Sequence, residues 1–172
     1  MKNMFKEYLK MMLSKIIGTE KIKVFYSVKD EATYKSPPYI SILSKKAIPK
    51  KTFLKERKEN QTIYLKTYEI VQPIRLVIAS TKEEDVENWT EDFFSEIESK
   101  HIFTINNIQQ YVEIEIVSLE YSDNKSSLSV ASAAIDINFI YGTYKNKEVP
   151  KIQKIEIKSI SIEERLNGSN NE

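Results

Sequence analysis

The 172-residue chain contains no cysteine, which excludes disulfides, thiolate metal sites and cysteine nucleophiles. It has a single histidine, His101, so neither an HExxH motif nor any multi-histidine metal site can be built. Glycine is scarce too: Gly18, Gly142 and Gly168 are the whole complement, and none stands in a GxGxxG or P-loop pattern. No apolar run approaches the roughly 18 residues of a membrane-spanning helix, so no membrane partner is expected. Net charge is nearly absent as well, at +1 from 26 basic and 25 acidic residues. Most familiar enzyme classes fall at this step, and no catalytic, cofactor or metal residue is expected.

What is present suits one globular domain: 41% hydrophobic and 30% charged residues, in a chain long enough to bury a core. The opening stretch, MKNMFKEYLKMMLSKIIGTEK, superficially resembles a signal peptide. Lys6, Glu7, Lys10 and Lys15 interrupt any apolar h-region, however, and no small-residue cleavage site follows. Its apolar positions Phe5, Leu9, Met12, Leu13, Ile16 and Ile17 recur by threes and fours, which predicts an amphipathic helix over 2–17 stopped at Gly18. The protein is then expected to be cytoplasmic when made.

Further along, KIKVFYSV alternates Ile22, Val24, Tyr26 and Val28 with polar residues and predicts a half-buried strand. Residues 29–38 end in Pro37–Pro38 and predict a loop, followed by a short strand, YISIL. Residues 44–60 form a polar, basic excursion, expected to be mobile in the isolated subunit. Thr62–Ser80 is β-rich but too long for one ordinary strand, with Pro73 expected at an edge or bend. Thr81 is the candidate N-cap of an acidic helix whose stripe Val86, Trp89, Phe93 and Ile97 should pack on strand residues Ile135, Ile137 and Phe139. Strands are predicted near 111–121, 129–141 and 151–162, the first two joined as a hairpin by SDNKSS. The fold class is therefore α+β, a mainly antiparallel sheet packed with two amphipathic helices. One domain spans 1–162, and 163–172 is expected to be a disordered tail.

Charge is segregated. Residues 1–60 carry fifteen basic and six acidic side chains, and residues 61–172 carry eleven and nineteen. The contrast is sharpest between Lys45, Lys46, Lys50, Lys51, Lys55, Arg57 and Lys58 and the acidic helix with Glu83, Glu84, Glu87 and Glu91. Ordinarily such features are a solubilising loop and a solvated helix face. Two functional readings stand beside that one. The basic segment meets nucleic acid through phosphate neutralisation, or it meets the acidic face of a neighbouring copy in a head-to-tail contact. Sequence-specific nucleic-acid recognition finds no support, because Phe53 is the segment's one aromatic and no recognition helix or RNP-like pattern accompanies it. Asp136 with Glu113 or Glu115 could form a hydrolytic carboxylate pair, but their alternation with isoleucines places them on the solvent side of half-buried strands. His101 is expected to be a polar loop residue after the helix.

A helix, a proline-led PPYISIL strand, and YEIVQPIRLVIAS running into an acidic, aromatic-bearing helix resemble the tail terminator proteins of tailed bacteriophages. These are also called tail completion or neck terminator proteins, and the family extends to phage-tail-like contractile particles. The resemblance covers residues 1–160 and implies a virion structural protein rather than an enzyme. Its expected assembly is a homo-oligomeric, hexameric ring that caps the tail tube protein and stops polymerisation in the bacterial cytoplasm. Contact with a sheath protein would follow if the tail is contractile, and with a head–tail connector if a head is present. The long basic excursion favours a contractile tail. Two rivals remain: a head-completion or connector adaptor of the same particle, and a soluble enzyme or ligand-binding domain whose pocket no motif marks.

Overall fold

The computed structural model describes residues 2–18, 22–33, 36–59, 62–124 and 130–148. The expected strand at 151–162 and the tail at 163–172 lie outside the described residues. Helix α1, Lys2–Ile17, follows its apolar spacing and ends at Gly18, whose φ of +79° is the left-handed conformation of a helix stop. The Gly18 N–H donates to the Ser14 carbonyl at 3.2 Å. Strand β1 is only Lys23–Phe25, because Val28–Thr33 turns into a short helix, α2, where a loop was expected. Ser27 initiates it: its hydroxyl accepts from the Asp30 N–H at 3.1 Å and donates to the Asp30 carboxylate at 2.6 Å.

Strand β2, Tyr39–Ser44, and strand β3, Ile48–Glu59, both pair antiparallel with β4, Thr62–Ser80. The basic excursion is thus a paired strand, not a loop. Its long run of extended-compatible residues finds its ladder partners in the first half of β4. Strand β4 is itself one strand of 19 residues, paired from end to end with β7, Val130–Glu148. Helix α3, Glu83–Glu96, leads to β5, Lys100–Ile105, and β6, Ile108–Asn124. The order in the sheet is β1-β2-β4-β7-β6-β5, with β3 beside β4 below β2, and every pairing is antiparallel except β1 with β2. The fold is mixed α+β, mostly strands in a curled sheet with a few helices. Strand β5 and its two-residue turn were not anticipated. Asn106 and Asn107 both take positive φ, 51° and 61°, which suits a tight hairpin that asparagine tolerates.

Helices α1 and α3 share one face of the sheet. Phe5, Leu9 and Leu13 of α1 meet Ile42, Ile74, Leu76, Ile135, Ile137 and Phe139 in the main core. Phe5 stacks on Phe139 with ring centroids 4.5 Å apart and meets Phe103 edge-on at 5.1 Å. A smaller cluster of Phe25, Tyr39 and Ala79 occupies alternate positions. The packing stripe of α3 is rotated from the expected one. Val86, Thr90 and Phe93 are its buried residues, while Trp89 and Ile97 pack only at the margin. The buried face includes Thr90, a polar residue that the apolar pattern passes over; its hydroxyl donates to the Val86 carbonyl at 2.6 Å. The N-cap is Lys82 rather than Thr81, with the Ser80 hydroxyl accepting from the Lys82 N–H and donating to Asp85.

Phe93→Ala should therefore cost about 3–5 kcal/mol, and Trp89→Ala clearly less; a larger loss at Trp89 in denaturant melts would reject this orientation. Burial also pushes the Tyr8 and Tyr141 hydroxyls above the ordinary tyrosine value; at Tyr8 the Glu98 carboxylate adds to the push and a hydrogen bond from the Glu98 backbone opposes it. Below about pH 10 both are neutral whether the chain is folded or unfolded, so their burial stabilises fully. As pH rises further the unfolded chain ionises first, and stability should fall until the folded-state values are passed. Tyr8→Phe and Tyr141→Phe should each flatten that alkaline decline in denaturant midpoints measured against pH.

Candidate functional site

The basic residues are placed by an unusual junction at Pro73. In an extended antiparallel residue, N–H and C=O point to the same side. The Pro73 carbonyl accepts from the Lys45 N–H at 3.0 Å, on the β2–β3 side, so the N–H that proline lacks is missing there and not toward β7. Pairing on that side runs from Tyr39↔Ala79 to Ser44↔Ile74, skips, and resumes at Ile48↔Val71. Three residues oppose two across the skip, a one-residue irregularity. The Lys45 carbonyl, which a Pro73 N–H would have served, is instead served by the buried side chain of Gln72, whose Nε2 donates to it at 2.8 Å and to the Pro73 carbonyl at 3.1 Å. Strands β2 and β3 are in effect one long strand broken opposite the proline.

Lys45 and Lys46 lie in this break, and Lys50, Lys51, Lys55, Arg57 and Lys58 lie on β3. Lys46, Lys50 and Lys51 are exposed. Lys45 is already engaged, with its ammonium 3.0 Å from the Asp136 carboxylate. Asp136 also receives Arg75 at 3.5 Å, and Arg75 reaches Glu120 at 2.8 Å, so one ion network crosses β4, β7 and β6. This network disposes of the carboxylate-pair reading. Asp136 is opposite Ser118, not Glu113 or Glu115, and Glu115 accepts instead from the Asn138 amide at 3.0 Å. His101 lies in β5 rather than a loop: its Nδ1 is 2.8 Å from Glu98, and its ring packs 4.7 Å from Tyr8 and 4.9 Å from Phe103.

Glu83, Glu84, Glu87 and Glu91 are all exposed on α3, the first two in its opening turn, where the helix dipole favours acids. The structure does not bring them to the basic residues. Lys50 and Lys51 pair opposite Glu69 and Tyr68, and α3 begins only beyond Ser80. The intervening run of β4 spans ~36 Å if fully extended. The basic strand flanks the first half of β4, and the acidic helix starts from the other end and runs back over the sheet to β5, whose Lys100 is level with Val71.

A groove of about 380 Å³ lies where β6 parts from β7, lined by Lys66, Glu69, Lys100, Tyr111, Glu113 and Gly142 among others. Lys66 and Glu69 close on each other at 2.8 Å. Among the described residues no group of three or more histidine and carboxylate side chains gathers to hold a metal ion, and no helix is long and apolar enough to cross a membrane. No protein-family model matches the chain, and no curated protein matches it either.

The junction yields a test. Gln72→Leu strands the Lys45 carbonyl and should cost about 1–3 kcal/mol, with faster amide exchange along β3. Adding Pro73→Val returns a backbone donor and should recover most of that loss. No rescue by the double variant in denaturant melts would show that the amide acts only by packing.

Proposed function

We propose that this protein is a non-enzymatic ring subunit, a tail terminator of a bacteriophage or of a phage-tail-like contractile particle. In this reading a closed ring of copies, six by the family resemblance, caps the tail tube and stops its growth. The ring then meets sheath in a contractile tail and a connector where a head is present. One observation carries the proposal: a near-neutral subunit holds a basic strand along one half of β4 and an acidic helix that leaves its other end, with Lys46, Lys50 and Lys51 and Glu83, Glu84, Glu87 and Glu91 all exposed. A head-to-tail assembly needs two such unlike, complementary surfaces on each subunit, and rotation that closes makes a ring. The exposed lysines on β3 suit steered encounter with an acidic neighbour, which salt weakens.

Reversing Lys50, Lys51, Lys55 and Lys58 to Glu should leave the monomer folded but abolish ring formation, and electron micrographs should show tails of uncontrolled length. Normal tail length in that variant would reduce the basic strand to a solvated surface. Assembly of the unaltered protein should weaken as salt is raised, with the fall visible in sedimentation.

A further inference from the structure

Besides the outer edges of the short terminal strands β1 and β5, two longer edges of the sheet carry no strand among the described residues. Strand β3 is paired only on its β4 side. Strand β6 is covered by β5 over 108–113, after which only the Ile114 N–H, donating to the Ser99 carbonyl at 2.8 Å, finds a partner on that side. Among the described residues nothing pairs with its outer edge from Glu115 to Asn124. Open edges are ordinarily blunted with lysine, proline or bulges. The β6 edge has a register shift between Ile116 and Ser118 but no lysine, arginine or proline, and it leaves Val117, Leu119 and Tyr121 exposed at 56%, 38% and 53%.

We infer that the sheet continues from copy to copy, with β3 of one subunit pairing along the open β6 edge of the next. The inference rests on the ring reading and specifies its contact. Three features favour a second copy as the occupant. The edges match in sign: β3 has five basic and two acidic residues, a balance of +3, while Glu115–Asn124 has three acidic and none basic, or −3. Like charge opposes β3–β3 and β6–β6 pairing, so the unlike pair is selected and the contact is heterologous. The directions match as well. Passing from β3 through β4 and β7 to β6, each step is antiparallel, so β3 and β6 run oppositely and copies related by rotation about an axis tilted from the strands meet antiparallel. Finally, the edges are staggered: β3 flanks Thr62–Val71 of β4, whereas β6 flanks the part of β7 that pairs with 71–80. Closing strands into a barrel requires tilt and a stagger of this kind.

The absence of cysteine permits a clean test with the full chain. Copies carrying Lys50→Cys or Lys51→Cys are mixed with copies carrying Leu119→Cys, Glu120→Cys or Tyr121→Cys and oxidised. Cross-links should form in at least one mixture and in no single-variant control, since a disulfide needs Cα atoms within about 4.4–6.8 Å. With both cysteines on one chain, the products should be a ladder ending at a closed multimer. Amide exchange over 115–124 should slow as protein concentration rises. Rings without a mixed cross-link would overturn the edge pairing while leaving the ring reading in place. Cross-links within a single variant, or slow exchange over 115–124 in dilute monomer, would assign the edge to a symmetric contact or to this chain's own residues, and either overturns it. Absence of the protein from tails would instead count against the functional reading alone.

Discussion

Proline cannot donate to a ladder, yet Pro73 stands in the middle of a 19-residue strand that is paired on both sides. The rest of the molecule depends on how that conflict is resolved. Because the lost donor faces β2 and β3, pairing with β7 is complete, and the break falls on the other flank. There the Gln72 side chain supplies the donor that the backbone lacks. The partner strand is split into a short core-forming segment and a long basic one. Had the proline faced β7, the central ladder of the sheet would have been interrupted beneath α1 and α3.

From that break follows the distribution of charge. Strand β2 lies under α1 within the main core, where Ile40 and Ile42 are buried. Strand β3 extends beyond the helices and carries lysines that no core could accept. At the other end of β4 the chain leaves the sheet, and the first turn of α3 begins with Glu83, Glu84 and Asp85, which its dipole favours. The subunit is neutral as a whole and polar along its length. Lys45, Arg75, Asp136 and Glu120 meanwhile satisfy one another in a surface network across the sheet, which reaches the β6 edge at Glu120.

The periodicity of α1 was plain in the sequence, because every buried position on it is apolar or aromatic and Gly18 marks its end. Helix α3 was placed along the chain but turned about its axis, since Thr90 is buried through a bond to its own helix and no apolar pattern reveals that. Residues 44–60 depart furthest from what their composition implies. Lysine-rich composition suggested a loop, whereas ladder hydrogen bonds to β4 make it a strand. The alternation that marks a half-buried strand is missing there because β3 extends beyond the helices. The Asn106–Asn107 turn was available as a signal for the β5–β6 hairpin, with strand-like residues on both sides. Gln72 and the open β6 edge were not legible at all, for their meaning depends on which strand lies beside which. Of the candidate residues, Lys45, Lys46, Lys50, Lys51 and the four glutamates are exposed, and Lys45 is also paired with Asp136.

The central claim is that this subunit ends a tail. Gold labelling of an affinity tag on the protein, imaged on purified tail particles, tests it most directly. The account predicts label at one end only, at the level of a single ring beyond the last tube subunit and opposite the baseplate. Label along the tube, at the baseplate, or on particles that lack tails would contradict it.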